Sequence, residues 1–406
     1  MRPDYVKFFS GRVSWVEPSP IREFMSRVAK LERQKKVLNF TSGQSDPDVV
    51  PRELYIELSK DVFSDRRSVL YSATEGIAEL REEIAKFMER YEGVKASPES
   101  IIVTLGGSQA LDLIGRLMVD PGDIIIVENP SYVNTLLTWK QWGAKLVGVK
   151  VDENGMDTYE LEGVVRRLRN EGKPVKLVYT IPTGQNPSGV TMSNDRRRHL
   201  LEIASQYDLL VIEDGAYNYL VYEPIDVRSI KSMDKEDRVI FTGTFSKVLG
   251  PGLRIGWLQL PEELVELFKA AKGPTDMCAP SPSQLLVLHV LRRGLFEEAR
   301  RKAVTVYREK RDAMLKAIES HMPGLRHTRP VAGMFVMVWL PSNIDGEQFA
   351  EEALEKYSVA VIPAKSFFTD ESGRNVIRLN FTMVSIDDIE EGIKRLGMLL
   401  KEKMRH

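Results

Sequence analysis

The chain has 406 residues, of which 43% are hydrophobic and 28% are charged, and its formal net charge is -1 at pH 7. A nearly neutral chain offers no electrostatic basis for binding nucleic acid or a membrane surface, and no apolar run approaches the roughly 20 residues of a membrane-spanning helix. The one cysteine, Cys278, excludes an intrachain disulfide and a multi-cysteine metal site. We therefore expect a cytoplasmic globular protein with no metal site and no nucleic-acid or membrane partner.

Short apolar runs alternate with helical patterns through the middle of the chain. Between these runs lie helices such as residues 77–92, in which apolar side chains recur at helical spacing. Because strands that alternate with helices form parallel sheets covered on both faces, the pattern predicts an α/β fold with a mainly parallel sheet. The runs that we interpret as buried strands are residues 101–104, 124–127, 177–179, 209–212 and 239–241.

The pattern changes near residue 285. A long helical stretch is followed by an apolar strand at 335–339, a helix near 346–357 and a further strand at 376–379. A chain of this length exceeds the size at which a single core stops growing. We therefore predict a large α/β lobe followed by a smaller α+β lobe that packs closely against it.

Polar residues follow the ends of the predicted strands, where an open α/β sheet binds its ligands. Gly106-Gly107-Ser108-Gln109 follows the strand 101–104 and opens a helix whose first amides can bind an anion, although a glycine-rich strand-to-helix turn is common by itself. Asp214 follows the strand 209–212. Its carboxylate either caps the next turn or pairs with a protonated ring nitrogen, and strand alternation turns the neighbouring Glu213 the other way.

The residues after the strand 239–241 form the most specific pattern of the chain. Thr244, Ser246, Lys247 and Arg254 lie within a stretch rich in glycine and proline. Hydroxyls and a guanidinium donate hydrogen bonds to phosphate oxygens, and a lysine beside them can condense with an aldehyde of the same ligand. Pyridoxal 5'-phosphate carries both groups. Any lysine taken alone is more often a solvated surface charge, but the fixed offsets here predict a pyridoxal-phosphate site with Lys247 as its reactive amine.

Arg378 lies within the apolar strand 376–379. An unpaired guanidinium is costly in such surroundings, so it needs an anionic partner. A structural salt bridge is one candidate, and the carboxylate of a substrate is the other.

Together these motifs resemble the class I/II aminotransferases, pyridoxal-phosphate enzymes of fold type I, from about Ser19 to the C-terminus. The loop 180–189, with its Asn186-Pro187-Ser188-Gly189 turn, is similar to the branch that contains α-aminoadipate, kynurenine and aromatic aminotransferases. The resemblance implies a large cofactor-binding domain at residues 46–285 and a small domain built from residues 1–45 and 286–406. It also implies transfer of an amino group between an amino acid and a 2-oxo acid through an aldimine of Lys247.

The resemblance further implies how each motif residue contacts the cofactor. Lys247, Asp214 and Tyr217 are the expected catalytic residues, with Asp214 at the ring nitrogen and Tyr217 at the phenolic oxygen, which Asn186 also contacts. Tyr132 is expected to stack on the pyridine ring. The residues expected around the phosphate are Gly107, Ser108, Gln109, Thr244, Ser246 and Arg254.

In the same family the substrate and the neighbouring subunit complete the site. Arg378, Asn186 and Gly43, in Thr41-Ser42-Gly43-Gln44, are expected to bind the α-carboxylate of the substrate. Tyr71 matches a tyrosine that reaches the phosphate of the partner subunit. We therefore expect a homodimer with shared active sites.

The segment that begins at Ser19 bears on specificity. Ser19 is a predicted N-cap, Pro20 occupies the first helical position, and Arg22 borders the apolar stripe of the helix. A solvated helix charge is the simple interpretation of Arg22. In α-aminoadipate aminotransferases, however, a similar Ile-Arg-Glu segment supplies an arginine to the distal carboxylate. We therefore expect broad specificity, with 2-oxoglutarate/glutamate as one pair and α-aminoadipate or aromatic amino acids as the other.

Two other function classes share much of this pattern. A β-lyase or decarboxylase on the same fold would use almost every residue named above. An effector-sensing regulator of the GntR type carries an aminotransferase-like domain behind a winged helix. Because the catalytic-domain pattern starts near Ser19 and the chain is nearly neutral, we expect an enzyme and not a regulator.

Overall fold

The computed structural model describes residues 2–173 and 175–405. Its helices are α1 (Pro20–Glu32), α2 (Arg52–Ser64), α3 (Ala78–Glu92), α4 (Gly107–Met118), α5 (Val133–Gln141), α6 (Thr158–Asn170), α7 (Asn194–Gln206), α8 (Ile230–Met233), α9 (Glu262–Asp276), α10 (Ser281–Arg292), α11 (Phe296–His321), α12 (Gly346–Tyr357) and α13 (Ile386–Met404). Its strands are β1 (Leu38–Asn39), β2 (Ile101–Thr104), β3 (Ile124–Asn129), β4 (Lys145–Asp152), β5 (Gly155–Met156), β6 (Val175–Thr180), β7 (Leu210–Asp214), β8 (Val239–Thr244), β9 (Gly256–Gln259), β10 (Phe335–Trp339), β11 (Val359–Ala360), β12 (Ile362–Pro363) and β13 (Val376–Asn380).

Across the described residues the largest sheet has eight strands in the order β2-β9-β8-β7-β6-β3-β4-β5. The strands from β8 through β7, β6 and β3 to β4 are parallel, whereas β9 runs antiparallel to both of its neighbours and β5 runs antiparallel to β4. The predicted α/β class with a mainly parallel sheet is confirmed. Each predicted buried strand overlaps an observed one.

Side chains of the central strands alternate between the two faces of this sheet. Ile124 and Ile126 pack in one apolar cluster with residues of α6 and α7, while Ile125 and Val127 pack in another with residues of α4 and α5. The strands are therefore buried on both faces, which explains why they are almost continuously apolar in the sequence. The result is a sandwich in which one layer of strands lies between helical layers.

The smaller lobe is an α+β layer built from both ends of the chain. β13 lies between β10 and β12 in an antiparallel sheet, and β1 pairs in parallel with β11. α11 and α13 pack against each other. The segment that contains β1 is thus joined to the C-terminal part of the chain.

The division of the large and small domains at residue 285 stays a prediction. α10 crosses this limit, and its helix contacts are with α2 and α3. These contacts favour a limit after Arg292, because α10 packs with helices of the larger lobe.

The fold brings three strand ends to one edge of the sheet. β6, β7 and β8 are parallel neighbours, and they end at Thr180, Asp214 and Thr244. The loops that follow these ends carry the predicted catalytic residues, so the topology gathers them at the edge where open α/β sheets bind ligands.

Candidate active site

A cavity lies at this edge of the sheet and is lined by most of the residues that the sequence motifs single out. The predicted site residues in its wall are Gly107, Ser108, Tyr132, Asp214, Tyr217, Thr244, Ser246, Lys247 and Arg254. Leu111, Ile181, Ala216 and Pro251 complete the lining. Residues from widely separated parts of the sequence therefore converge on one space.

Lys247 presents a partly buried amine to this cavity. Its Nζ donates a hydrogen bond to the carbonyl oxygen of Gly43, at 2.9 Å, and lies 5.5 Å from the centre of the Tyr217 ring. Burial lowers the pKa of Lys247 to about 8, although the negative charge of Asp214 opposes that shift. Roughly a tenth of the amine is therefore unprotonated at pH 7, far more than at the usual lysine pKa, and the neutral form is the one that a nucleophile or a base requires.

Asp214 ends β7 with its carboxylate in the cavity wall and is only 6% exposed. Its Oδ2 accepts a hydrogen bond from the hydroxyl of Tyr179 at 2.9 Å, and its Oδ1 accepts one from the amide of Ala216 at 3.2 Å. Burial raises the pKa of Asp214 to about 6, so the group remains largely ionised at pH 7. Glu213 points away, as strand alternation predicts, and accepts hydrogen bonds from the residues that begin α8.

One end of the cavity has the donors that an anion requires. Ser108 lies in the first turn of α4, whose free amides favour anions. The hydroxyls of Thr244 and Ser246 share a hydrogen bond of 2.8 Å. Arg254 donates from Nη2 to the carbonyl oxygen of Leu105, at 2.6 Å, which keeps its guanidinium beside the turn.

The turn before α4 is closely fitted to Arg254. Gly106 has φ +72°, and a Cβ atom added there would lie 2.9 Å from Nη2 of Arg254. Both the backbone angle and the close approach therefore require glycine. Donors for a phosphate, an amine for an aldehyde and a carboxylate for a ring nitrogen line one cavity, so the residues present fit pyridoxal 5'-phosphate.

Gln109 differs from the other residues of its motif. Its side-chain oxygen accepts a hydrogen bond from the amide of Leu105 at 2.9 Å, and its nitrogen donates to Oδ2 of Asp276 at 2.7 Å. Asp276 also accepts a hydrogen bond from the buried amine of Lys272. The Gln109 side chain is therefore engaged with α9, so a contact of this residue with the phosphate would come from its backbone.

Arg378 lies outside the cavity lining and is linked to it through Asn186 and Tyr217. It is 4% exposed, and its guanidinium carbon lies 4.4 Å from the ring centre of Phe335 and 5.1 Å from that of Phe367. Its Nη2 donates to the carbonyl oxygen of Thr41 at 2.7 Å. Burial lowers the pKa of Arg378 to about 10, so the group remains charged at neutral pH.

The ion-pair and hydrogen-bond partners of the Arg378 guanidinium distinguish between the two interpretations of this residue, a structural salt bridge and a binding group for a substrate carboxylate. Among the residues that the structure describes, no carboxylate forms an ion pair with Arg378, and its Nε is buried without a hydrogen-bond partner. A buried positive charge without an anion is costly. The structural salt bridge is therefore not formed within the described chain, and a carboxylate from outside it would meet an unsatisfied donor.

Asn186 connects this arginine with the cavity. Its side-chain nitrogen donates to the hydroxyl of Tyr217 at 3.2 Å, and its oxygen accepts from Nη1 of Arg378, also at 3.2 Å. Gly43 lies nearby, because the loop that contains it supplies carbonyl oxygens to both Arg378 and Lys247. The residues predicted to bind the cofactor oxygen and the substrate carboxylate are thus in direct contact.

Six predicted residues do not line the cavity of their own chain: Gly43, Gln109, Asn186 and Arg378, described above, and Tyr71 and Arg22. Tyr71 is 81% exposed. Arg22 is exposed on α1, where Ser19 is the N-cap, as predicted. The charge of Arg22 nonetheless affects the pKa of Tyr132. Burial raises the pKa of the Tyr132 phenol, while the Asn134 side chain and the charges of Arg378 and Arg22 oppose that rise.

Several contributing residues were not identified from the sequence. Phe335 and Phe367 flank Arg378, Thr41 supplies a carbonyl oxygen, and Tyr179 contacts Asp214. The hydroxyl of Tyr179, at the end of the apolar run 177–179, was the available signal, because a buried tyrosine usually has a hydrogen-bond partner.

Comparison with known proteins gives one consistent result. Residues 35–396 match the family model described as aminotransferase class I and II. The chain is 41% identical to aromatic-amino-acid aminotransferase 1 of Thermococcus litoralis, over 99% of this chain and 96% of that protein. It is 35% identical to the 2-aminoadipate transaminase of Thermus thermophilus, over 99% and 98% of the two chains.

A solved structure extends the likeness to three dimensions. The crystal structure of an archaeal alanine:glyoxylate aminotransferase superposes with a TM-score of 0.97 at 49% identity, covering 99% of this chain and 100% of that one.

Among the residues that the structure describes, no helix combines the length and apolar character needed to cross a membrane. The chain belongs to the class I and II aminotransferases, and it is a fold type I, pyridoxal-phosphate-dependent enzyme that transfers amino groups.

Proposed function

We propose that this aminotransferase exchanges amino groups between the 2-oxoglutarate/glutamate pair and either α-aminoadipate or aromatic amino acids. The observation that carries the proposal is the position of Arg378, a buried guanidinium with an unpartnered Nε. It is linked through Asn186 to the cavity that contains Lys247. An amino acid needs a binding group for its carboxylate beside the group that reacts with its amine.

The cofactor is assigned to the cavity residues according to their chemistry. Ser108, Ser246, Arg254 and the first amides of α4 would hold the phosphate, with Thr244 supporting Ser246 through their shared hydrogen bond. When bound, pyridoxal 5'-phosphate supplies an aldehyde that captures amines and a ring that withdraws electrons from the reacting carbon.

The ring of the cofactor would be held by three further residues. Tyr132 lies in the cavity wall as a stacking surface. Asp214 would keep a proton on the ring nitrogen, and its buried, largely ionised carboxylate supports this role. The Asn186–Tyr217 pair would donate hydrogen bonds to the phenolic oxygen.

Lys247 is assigned two tasks, both of which use Nζ. As a neutral amine it is the nucleophile that holds the cofactor, and after release by the substrate it carries a proton between two carbon atoms as a general base and acid. A pKa of about 8 supports both tasks, because the amine can gain and lose a proton near neutral pH. The neighbouring carbonyl oxygen of Gly43 orients Nζ by accepting its hydrogen bond.

Substrate orientation is assigned to Arg378 and the loop around Gly43. A guanidinium donates paired hydrogen bonds to a carboxylate, and the free Nε adds a donor on one edge of Arg378. Asn186 and Phe335 fix the arginine, because one accepts its hydrogen bond and the other packs on its plane. The α-carboxylate would thus be held while the amine faces Lys247.

The proposed specificity for the substrate side chain is based on Arg22 and on the names of similar enzymes. Similar enzymes are named for aromatic amino acids and for 2-aminoadipate. Arg22 on the exposed face of α1 would bind the distal carboxylate of a dicarboxylic substrate, and it would leave the site free for an aromatic ring when it points to solvent. A second candidate pair is alanine with glyoxylate, which the 49% identity to an archaeal alanine:glyoxylate aminotransferase favours.

A homodimer with shared active sites completes the proposal. Val69, Leu70 and Tyr71 form a continuous apolar segment that is 80%, 60% and 81% exposed. Contiguous exposed apolar surface of this kind commonly marks a protein interface. Tyr71 would then contact the phosphate of the partner subunit, as it does not line the cavity of its own chain.

The experiment is a half-reaction screen. Purified enzyme loaded with pyridoxal 5'-phosphate is mixed with each amino acid, and the cofactor spectrum is followed. We expect the aldehyde form to be converted by glutamate and by α-aminoadipate or aromatic amino acids, with alanine included for the second candidate. Borohydride should fix the cofactor to Lys247, and Lys247→Ala should remain folded without transferring amino groups.

The same screen distinguishes the lyase and decarboxylase alternatives. A transaminase consumes one amino acid per cofactor and stops until a 2-oxo acid is added. Continuous release of ammonia or carbon dioxide without a 2-oxo acid would contradict the proposal, as would turnover by Lys247→Ala at the wild-type rate.

A further inference from the structure

A chain of hydrogen bonds runs from α5 through β6 to the carboxylate of Asp214. The hydroxyl of Thr135 donates to the phenol oxygen of Tyr179 at 3.2 Å, and the hydroxyl of Tyr179 donates to Oδ2 of Asp214 at 2.9 Å. Thr135 and Tyr179 are almost completely buried. These hydrogen bonds therefore reach Asp214 from the interior of the protein.

The surroundings hold Tyr179 in this orientation. Its backbone lies in β6, paired in parallel with β7 so that Tyr179 is opposite Ile212, two residues before Asp214. Trp139 packs edge-on against its ring, with the ring centres 5.1 Å apart at 80°. The indole nitrogen of Trp139 donates to the carbonyl oxygen of Leu111 at 2.8 Å. A buried tyrosine fixed in this way has its hydroxyl aimed at one acceptor.

The effect on Asp214 depends on all the charges around it. Burial raises the pKa of this carboxyl, and the repulsion from Glu213 adds to that rise. The hydrogen bond from Tyr179 is the largest opposing influence, followed by the amide of Ala216 and the charge of Lys247. The other titratable groups that face Asp214 are Glu128, Tyr132 and Tyr217.

We infer that Tyr179 is a positioning residue that keeps Asp214 ionised and turned towards the cavity, so that Asp214 can hold a proton on the ring nitrogen of the cofactor. With Oδ2 bound to Tyr179 and Oδ1 bound to Ala216, the carboxylate is held on both oxygens. The inference rests on the proposed role of Asp214. It adds Tyr179, a residue that is fully buried and does not line the cavity.

The test is Tyr179→Phe, which removes one oxygen and keeps the packing against Trp139. The enzyme is loaded with pyridoxal phosphate labelled with ¹⁵N in the ring, and the ¹⁵N chemical shift reports the protonation of the ring nitrogen. We expect the signal to move from the protonated position towards that of neutral pyridine. We also expect kcat to fall about tenfold, as for loss of a hydrogen bond to a charged group, with little change in KM.

Tyr222→Phe is the matched control, because Tyr222 is equally buried but donates its hydroxyl to the carbonyl oxygen of Gly333. A merely structural loss of a buried hydroxyl should lower the stability of both variants and move the ¹⁵N signal of neither. Thr135→Val is a second probe, which leaves Tyr179 in place and should move the signal less, in the same direction.

Asp214→Asn separates failure of this inference from failure of the proposed function. If Asp214→Asn keeps the protonated signal of the wild type, the role proposed for Asp214 is wrong. If Asp214→Asn loses that signal while Tyr179→Phe and Thr135→Val match the wild type, only the inference about Tyr179 is overturned.

Discussion

The side-chain oxygen of Asn186 accepts a hydrogen bond from Nη1 of Arg378 at 3.2 Å, although 192 positions separate the two residues in the sequence. Through its nitrogen, Asn186 also donates to the hydroxyl of Tyr217. One amide therefore connects the large sheet, from which the loop of Asn186 extends, with β13 of the smaller lobe. The proposed sites for the cofactor oxygen and for the substrate carboxylate are fixed relative to each other.

Arg378→Lys should separate carboxylate binding from cofactor binding. Lysine keeps the positive charge but loses the planar fork that pairs with a carboxylate. We expect kcat/KM to fall about 10–100-fold for every amino acid substrate, from the loss of one charge-assisted hydrogen bond, with unchanged affinity for pyridoxal phosphate. Steady-state kinetics and cofactor titration measure the two quantities.

Arg311→Lys is the control for this prediction, since Arg311 is also buried but pairs with Glu223 and the carbonyl oxygen of Pro330. Its effect should be on stability alone. Equal kinetic losses in both variants would show that Arg378 serves the fold and does not bind the carboxylate.

Gly106→Ala should weaken the binding of pyridoxal phosphate. The added Cβ would lie 2.9 Å from Nη2 of Arg254, so the guanidinium must shift. Gly172→Ala is matched to it, because Gly172 has a similar φ of +66° but open space around the added atom. Gly106→Ala should lose the more stability of the two, because φ +72° with ψ 177° is a backbone conformation essentially confined to glycine. Only Gly106→Ala should release the cofactor more readily on dialysis, and equal retention would contradict the phosphate site.

The rate at which cofactor-free protein takes up pyridoxal phosphate should rise with pH and reach half its maximum near pH 8. Burial lowers the pKa of Lys247 from the usual 10.5 to about 8, so the amine is mostly protonated below that pH and mostly reactive above it. Stopped-flow absorbance gives the midpoint. In Asp214→Asn the midpoint should move lower, since the negative charge of Asp214 raises the pKa of Lys247. A midpoint near 10 in the wild type would contradict the prediction.

The local chemistry of this protein could be predicted from its sequence where one motif contains all its determinants. The stretch that carries Thr244, Ser246, Lys247 and Arg254 is of this kind, because a strand end and its following turn bring the four residues to one edge of the sheet. Only the final orientation of Arg254 and Lys247 depends on distant partners, the carbonyl oxygens of Leu105 and Gly43. The alternation that separates Asp214 from Glu213 is equally local, and the structure has both carboxylates on the predicted sides.

Contacts between distant segments could not be predicted in this way. The Gln109 side chain faces α9 because a carboxylate oxygen of Asp276 accepts its hydrogen bond. The residues next to Gln109 in the sequence do not indicate that partner. Tyr179 contacts Asp214 because β6 and β7 are neighbours in the sheet, which the order of the strands along the chain does not establish. The predicted limit of the large domain at residue 285 has the same weakness, since the position of this limit depends on which helices α10 packs against.

Mixing two inactive variants should test the shared active site. In a heterodimer of Lys247→Ala with Tyr71→Ala, one site combines Lys247 of one subunit with Tyr71 of the other and is intact. Co-expression with different affinity tags isolates the heterodimer, and we expect it to recover activity that neither homodimer has. If Tyr71 acted within its own chain, every site of the heterodimer would carry one defect, and no activity would return.

Arg22→Ala should change which substrates the enzyme prefers. Removal of a charge-assisted contact with a distal carboxylate should lower kcat/KM for glutamate and α-aminoadipate by about tenfold or more, while aromatic amino acids lack that carboxylate and should be unaffected. Arg27→Ala is the matched control on the same helix, because Arg27 pairs with Glu351 at 2.5 and 2.6 Å. That ion pair is about half exposed and contributes little to stability, so its loss should affect both substrate classes alike. Equal losses for both classes in Arg22→Ala would show that Arg22 supports α1 and does not select the substrate.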